Sequence, residues 1–253
     1  MNNIKLILQY DGGAYIGWQR QAPQHGLSVQ QVMEEALARV LSEPTVIHGA
    51  GRTDSGVHAF AQAASFFCPV NIPPVNLQQA LNNILPADIR VLTAETAPDD
   101  FHARFSATGK RYRYLLSTDA PDIFNYHWYW PLGEMPDAAA MREAAAHLVG
   151  EHDFRHFTLS NTTVSNFVRN LRTLRIYEPQ PQELPCQLKQ VLAIEAAADG
   201  FLYRMMRLIT CRLLAVGRGL LEPAAMEDFL QGRPPLLLPP APPHGLMLME
   251  VYY

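Results

Sequence analysis

Ile4-Lys-Leu-Ile-Leu-Gln-Tyr10 alternates apolar and polar side chains, the period of a half-buried strand. Ser28-Val-Gln-Gln31 then has the spacing of a capping box and opens a stretch that sets Val29, Val32, Met33, Leu37, Val40 and Leu41 along one side of a helix. Thr45–Ala50 and Val57–Cys68 read as strands around a glycine-rich turn. Val75–Leu85 reads as a helix closed by Pro86, and Ile89–Glu95 as a further strand. The order is β-α-β-β-α-β. The second half repeats it: a strand at Lys110–Thr118, an alanine-rich helix at Asp137–Val149 stopped by Gly150, and strands at Phe167–Tyr177 and Gln187–Ala196. A helix at Phe201–Val216, a shorter one at Pro223–Leu230 and a closing strand at Leu246–Tyr252 complete it. Pro234–Pro243 holds six prolines and is predicted to be an extended connector. Two copies of the split pattern predict an α+β protein of two ferredoxin-like halves, 1–106 and 107–253. Residue similarity between the halves is negligible, and the architecture by itself names no function.

The 253 residues are 48% hydrophobic and 17% charged, a globular composition with length enough for one sizeable core or two adjoining ones. No run approaches the ~18 apolar residues of a membrane span. The stretch before Ile4 has neither a basic leader nor a cleavage-site pattern. Cys68, Cys186 and Cys211 are odd in number, far apart and without a Cys-x-x-Cys, so neither a disulfide framework nor a four-cysteine zinc site is expected. A reducing, cytoplasmic setting follows.

The net charge of −4 conceals a strong segregation. Phe101–Thr118, Phe154–Tyr177 and Gly200–Leu221 each carry four basic residues and no acid. Arginine outnumbers lysine 17 to 3, and aromatics are interleaved: Phe101, Phe105, Tyr112 and Tyr114; Phe154, Phe157, Phe167 and Tyr177; Phe201 and Tyr203. The planar guanidinium suits phosphate and stacks on bases, so these windows point to a nucleic-acid surface. An ordinary surface with segregated charge has the same composition.

Gly49-Ala-Gly-Arg-Thr-Asp-Ser-Gly-Val-His58 gathers three glycines, a cation and a carboxylate in a turn. Glycine admits positive φ and close backbone approach. Arg52 and Asp54 are two apart and share a side of an extended chain. Taken alone, Asp-Ser-Gly reads as a hairpin in which Asp54 caps a turn ahead of Gly56. Four other blocks accompany it in fixed order: Tyr10-Asp-Gly-Gly-Ala-Tyr-Ile-Gly-Trp-Gln-Arg20, Asp100-Phe-His-Ala-Arg-Phe-Ser-Ala107, Lys110-Arg-Tyr-Arg-Tyr114 and Gly200-Phe-Leu-Tyr-Arg-Met-Met-Arg207.

This set closely resembles the tRNA pseudouridine synthase A family, and the likeness covers nearly the whole chain. The resemblance implies two α+β halves with antiparallel sheets joined around a central cleft. It also implies a homodimer acting on uridines 38–40 in the anticodon stem-loop of tRNA. Carried over by motif, Asp54 is the catalytic carboxylate, Arg52 lies beside it, Tyr112 meets the target base and Arg207 pairs with the aspartate. Tyr112, Arg52, Arg20, Arg111 and Arg204 are the implied substrate contacts. The chemistry suits these residue types. The N1–C1′ bond of uridine breaks, the base turns and C5 bonds to C1′, with no atom gained and no redox change, so no cofactor or metal is required. The carboxylate serves as nucleophile toward sugar or base, or as a base on the sugar. Desolvation against the base raises its pKa and Arg207 lowers it. Flipping the uridine out of a folded stem-loop costs a few kcal/mol, which arginine–phosphate contacts can offset.

The chain departs from the family pattern in places. Val164-Ser-Asn-Phe-Val-Arg169 stands where an Arg-Thr pair is usual, so Ser165 puts one RNA contact in doubt, and Arg204 and Leu208 replace a usual His and Asn. Two rival readings exist: a non-catalytic tandem RNA-binding module, and a glycosidase with Asp11 as the second acid of Asp54. His147, His152 and His156 have near-helical spacing for a metal, but no third-ligand pattern follows.

Overall fold

The computed structural model describes residues 2–121, 123–159 and 164–253, with ten strands and five α-helices among the described residues. Strands and helices mix along the chain around mainly antiparallel pairing, an α+β arrangement. The chain divides into two compact units, Met1–Thr108 with Met247–Tyr253, and Gly109–Leu246.

In the first unit β1 (Asn2–Tyr10) runs antiparallel to β3 (His58–Cys68) on one side and to β4 (Ile89–Ala97) on the other. The C-terminal β10 (Leu246–Tyr252) adds parallel to β3, with Met247 opposite His58. The alternation read in Ile4–Tyr10 is a real facing pattern, since Ile4, Leu6 and Leu8 are buried. Helix α1 (Val29–Leu41) buries Val29, Met33 and Leu37, and α2 (Pro74–Ile84) buries Leu77 and Leu81 while lying against β4 and α1. Each such aliphatic side chain contributes about 1.5–3 kcal/mol by leaving water. Ser28 caps α1 by accepting the Gln31 N–H at 3.2 Å. The Gln31 side chain does not return to the cap; it donates to Glu35.

One strand is shorter than its pattern predicts. β2 is only His48–Gly49, paired with Ser65 and Ala64 of β3. The backbone of Ile47 is taken by α1 instead: its carbonyl accepts from Gln30 Nε2 at 3.1 Å, and its N–H donates to Glu34 Oε1 at 3.3 Å.

In the second unit β5 (Gly109–Ser117), β9 (Val191–Ala198), β8 (Val168–Tyr177) and β7 (Gly150–Asp153) pair antiparallel in that order. The two-residue β6 (Trp130–Pro131) lies parallel beside β5. All eight residues of β9 are buried, as a central strand requires. α3 (Ala138–Ala146), capped by Asp137 on Ala139 and Ala140, packs on β8 and on α4 (Met205–Gly217). α5 (Ala225–Leu230) follows. α4 begins four residues later than the apolar pattern suggests, because Arg204 sits at its N-cap with φ +59 in left-handed conformation.

Candidate active site

The loop holding Asp54 follows β2 in the first unit and is clamped by Asp11–Trp18. Thr53 is buried, while Arg52 is exposed and Asp54 half-buried, the alternation of an extended segment. Thr53 Oγ1 hydrogen-bonds the Tyr10 hydroxyl at 2.9 Å, and burial pushes that phenol up to about 12, so it stays neutral. The Trp18 N–H donates to Thr53 O at 3.1 Å, and Ser55 Oγ and the Gly56 N–H both reach Tyr15 O. The approach is so close that only glycine fits at two points. A Cβ on Gly17, whose φ is +97, would lie 2.3 Å from Thr53 O, and one on Gly12 would lie 2.0 Å from Val57 O. The sequence made Asp54 a candidate; the structure sets it in a loop whose backbone has no room to drift.

Arg52 and Arg20 meet in one network. Arg52 Nε donates to Gln19 Oε1 at 3.2 Å, and Gln19 Nε2 donates to Gln30 Oε1 at 2.8 Å. Gln30 Oε1 also takes the Arg20 N–H, and its amide donates to Glu34 Oε1 at 3.0 Å. Glu34 Oε2 then receives Arg20 Nη1 at 2.7 Å. Gln30 and Glu34 are both nearly buried, so the network has a fixed base and an exposed cationic end. No motif in the sequence marks these two residues. Their only signal is the i, i+4 spacing of polar groups on the buried side of α1.

The other expected site residues lie in the second unit. Tyr112 on β5 is buried edge-on against Phe201, ring centroids 4.9 Å apart. Arg207 on α4 is nearly buried. Its Nε donates to Ala241 O at 2.7 Å, and the Ala241 N–H donates back to Arg207 O, which docks the proline-rich connector on this residue. Its charge also opposes the rise that burial imposes on the neighbouring Tyr114 phenol. Arg204 lies 4.9 Å over the Tyr203 ring, Leu208 is buried and Ser165 is exposed.

The acid-free windows are less free in space than in sequence. Arg113 is buried between Glu195 and Glu183, Arg111 pairs with Glu195 at 3.2 Å, and Arg155 pairs with Asp153. Residues 160–163 of the second window lie outside the described residues. Arg212 is buried between Phe157 and Phe229, its guanidinium carbon 4.0 and 4.1 Å from their centroids. The three histidines considered for a metal have other engagements: His147 with Glu227, His152 with Val149 O, and His156 against Gly232. Asp11, the second acid a glycosidase would need, accepts from the Gly13 N–H and lies 3.0 Å from His58 Nδ1.

A family profile described as tRNA pseudouridine synthase matches residues 6–106 and 144–253, a span that includes Asp54 and Arg207 and leaves Tyr112 between its two segments. Full-length relatives cover Tyr112 as well. The chain is 42% identical over 256 residues to the tRNA pseudouridine synthase A of Citrifermentans bemidjiense, covering all of this chain and 98% of the relative. It is 39% identical over 258 residues to the tRNA pseudouridine synthase A 2 of Clostridium perfringens, covering both completely. With the enzyme of Geobacter sp. strain M21 it shares 40% over 256 residues, covering 99% of that chain.

Proposed function

The chain belongs to the tRNA pseudouridine synthase family, and from that membership we propose that it isomerises uridines 38–40 of the tRNA anticodon stem-loop with Asp54 as the catalytic carboxylate. The observation that carries this reading is the glycine-clamped loop that holds Asp54. Catalysis by positioning needs a carboxylate that cannot move relative to the nucleotide it attacks or deprotonates. The N1–C1′ bond breaks, C5 bonds to C1′, the C5 proton leaves and N1 gains one, so atoms and charge balance without a cofactor.

Tyr112 supplies the ring beside the uracil, and Arg207 supplies the positive charge the mechanism calls for. Arg52, Arg20, Arg111 and Arg204, with Tyr112, contact the RNA. The two halves are ferredoxin-like, and the enzyme works as a homodimer in the cytoplasm. Among the described residues no helix is long and apolar enough to cross a membrane.

The test is to incubate the protein with an unmodified tRNA transcript and map the product. New pseudouridine within 38–40 at unchanged RNA mass is the expected result. Release of free uracil would make the protein a glycosidase, and tight binding with no modification would make it a binding module; either overturns the proposal.

A further inference from the structure

A second group of rings in the first unit is unused by the Asp54 loop. The imidazoles of His48 and His102 lie 5.0 Å apart at 32°, and Phe105 continues from His102 at 4.4 Å and 39°. The last ring of this ladder is 78% exposed. The two imidazoles also line a cavity of about 340 Å³, together with Phe67, Phe101 and Glu43.

The exposure of Phe105 is not that of a loose loop. The Ala103 N–H donates to Ser65 Oγ, the Ala103 carbonyl accepts the Tyr253 hydroxyl, and the His102 N–H donates to Ser106 Oγ. His102 Nδ1 accepts the Arg104 N–H at 3.1 Å, which fixes both the ring's orientation and its neutral tautomer. Burial, helped by the facing His48, keeps the His102 pKa below its ordinary value, so at neutral pH it stacks as an uncharged ring. Arg104 lies 5.7 Å from the Phe105 centroid. A tethered segment thus presents an exposed aromatic ring with a cation over it, the pairing that grips a base and its phosphate.

We propose that His48, His102 and Phe105 form a stacking platform for an unpaired base of the RNA substrate, with Arg104 on its phosphate. His48 pairs with Ser65 in the β2–β3 hairpin, seven residues along β3 from His58. Pairing continues past Gly49, the Ala50 N–H donating to Ala63 O, so the platform stands several residues down the hairpin from the Asp54 turn, at most about 22 Å along the six residues from His48 to Asp54. It therefore grips a part of the tRNA other than the target uridine. This inference rests on the tRNA reading above.

The test measures binding of unmodified tRNA to full-length variants. Phe105→Ala and His102→Ala are each expected to weaken binding about 5- to 100-fold, the range of one lost base stack, while Phe105→Tyr restores it. Arg104→Ala is expected to lower the slope of log affinity against log salt by about 0.7–0.9. Leu237→Ser, in an 87% exposed residue of the second unit, is the control and is expected to change nothing. Undiminished binding by Phe105→Ala overturns the platform, as does an equal loss in Leu237→Ser. So does a Phe105→Ala chain that sediments at a smaller size than the parent, which would make this face a contact between copies. If the parent makes pseudouridine and Phe105→Ala binds tRNA fully, only this inference fails. If the parent makes none, the proposed function fails first.

Discussion

Gly17→Ala is the sharpest probe of the clamp on Asp54. The new Cβ would lie 2.3 Å from Thr53 O, 2.9 Å from the Asp54 carbonyl carbon and 3.1 Å from Ser55 N. All three are backbone atoms, so relief needs the segment itself to retreat by about 1 Å toward ordinary contact distance. The φ of +97 adds left-handed strain, and together these cost about 1–3 kcal/mol, or several degrees of Tm in a chain this long. The effect on rate is larger than the effect on stability, because a displacement of about 1 Å at a positioned group costs about 10²-fold. The assay is single-turnover pseudouridine formation at saturating enzyme, read beside a thermal melt. Gly133→Ala, where nothing lies within 4 Å of the added carbon, is the neutral comparison. A Gly17→Ala enzyme that melts lower yet turns over like the parent would refute the claim that this contact positions Asp54.

Gln30→Leu removes four hydrogen bonds and leaves the buried Ile47 carbonyl without the side chain that satisfies it. A loss of about 1–3 kcal/mol is expected by denaturant titration, with weaker tRNA binding because Gln19 no longer steadies Arg52; equal affinity would remove that link. Arg212→Met is expected to leave Tm unchanged or raise it. Nε and Nη1 of Arg212 are buried without partners, and burial brings the guanidinium down to about 10, so the charge is held at a cost; a fall of Tm contradicts this. At pH 8 iodoacetamide is expected to label Cys186 first, because Cys68 and Cys211 are buried and burial pushes the Cys211 thiol up to about 11; early labelling of Cys211 in the folded protein contradicts it.

The periodic elements were legible because each buries one face. Ile4–Tyr10 and Leu246–Tyr252 lie inside or on strands with those bounds, and Ser28 starts α1 as its type suggests. Pattern and structure part where a tertiary partner replaces a local one. Ile47 gives its backbone to Gln30 and Glu34, so β2 is two residues rather than six. β9 runs on to Ala198 through three alanines, weak strand formers that are retained because the strand is buried along its whole length. Gly150–Asp153 is too polar to read as a strand, yet pairs with β8. At the site, the motif around Asp54 was plain in the sequence. The anchoring by Gln30 and Glu34 was not, since it depends on which side of α1 faces the loop. Charge windows also misled in part: Arg113 meets its acids from Glu195 and Glu183, both distant in sequence.

The most direct measurement compares Asp54→Asn with the parent on an unmodified tRNA, reading binding and pseudouridine mapping on the same sample. Asparagine keeps the size of the side chain and removes its charge. The account predicts a complex that still forms and yields no pseudouridine at 38–40. Pseudouridine appearing there at a rate near the parent's would contradict it, because the reaction would then not depend on that carboxylate.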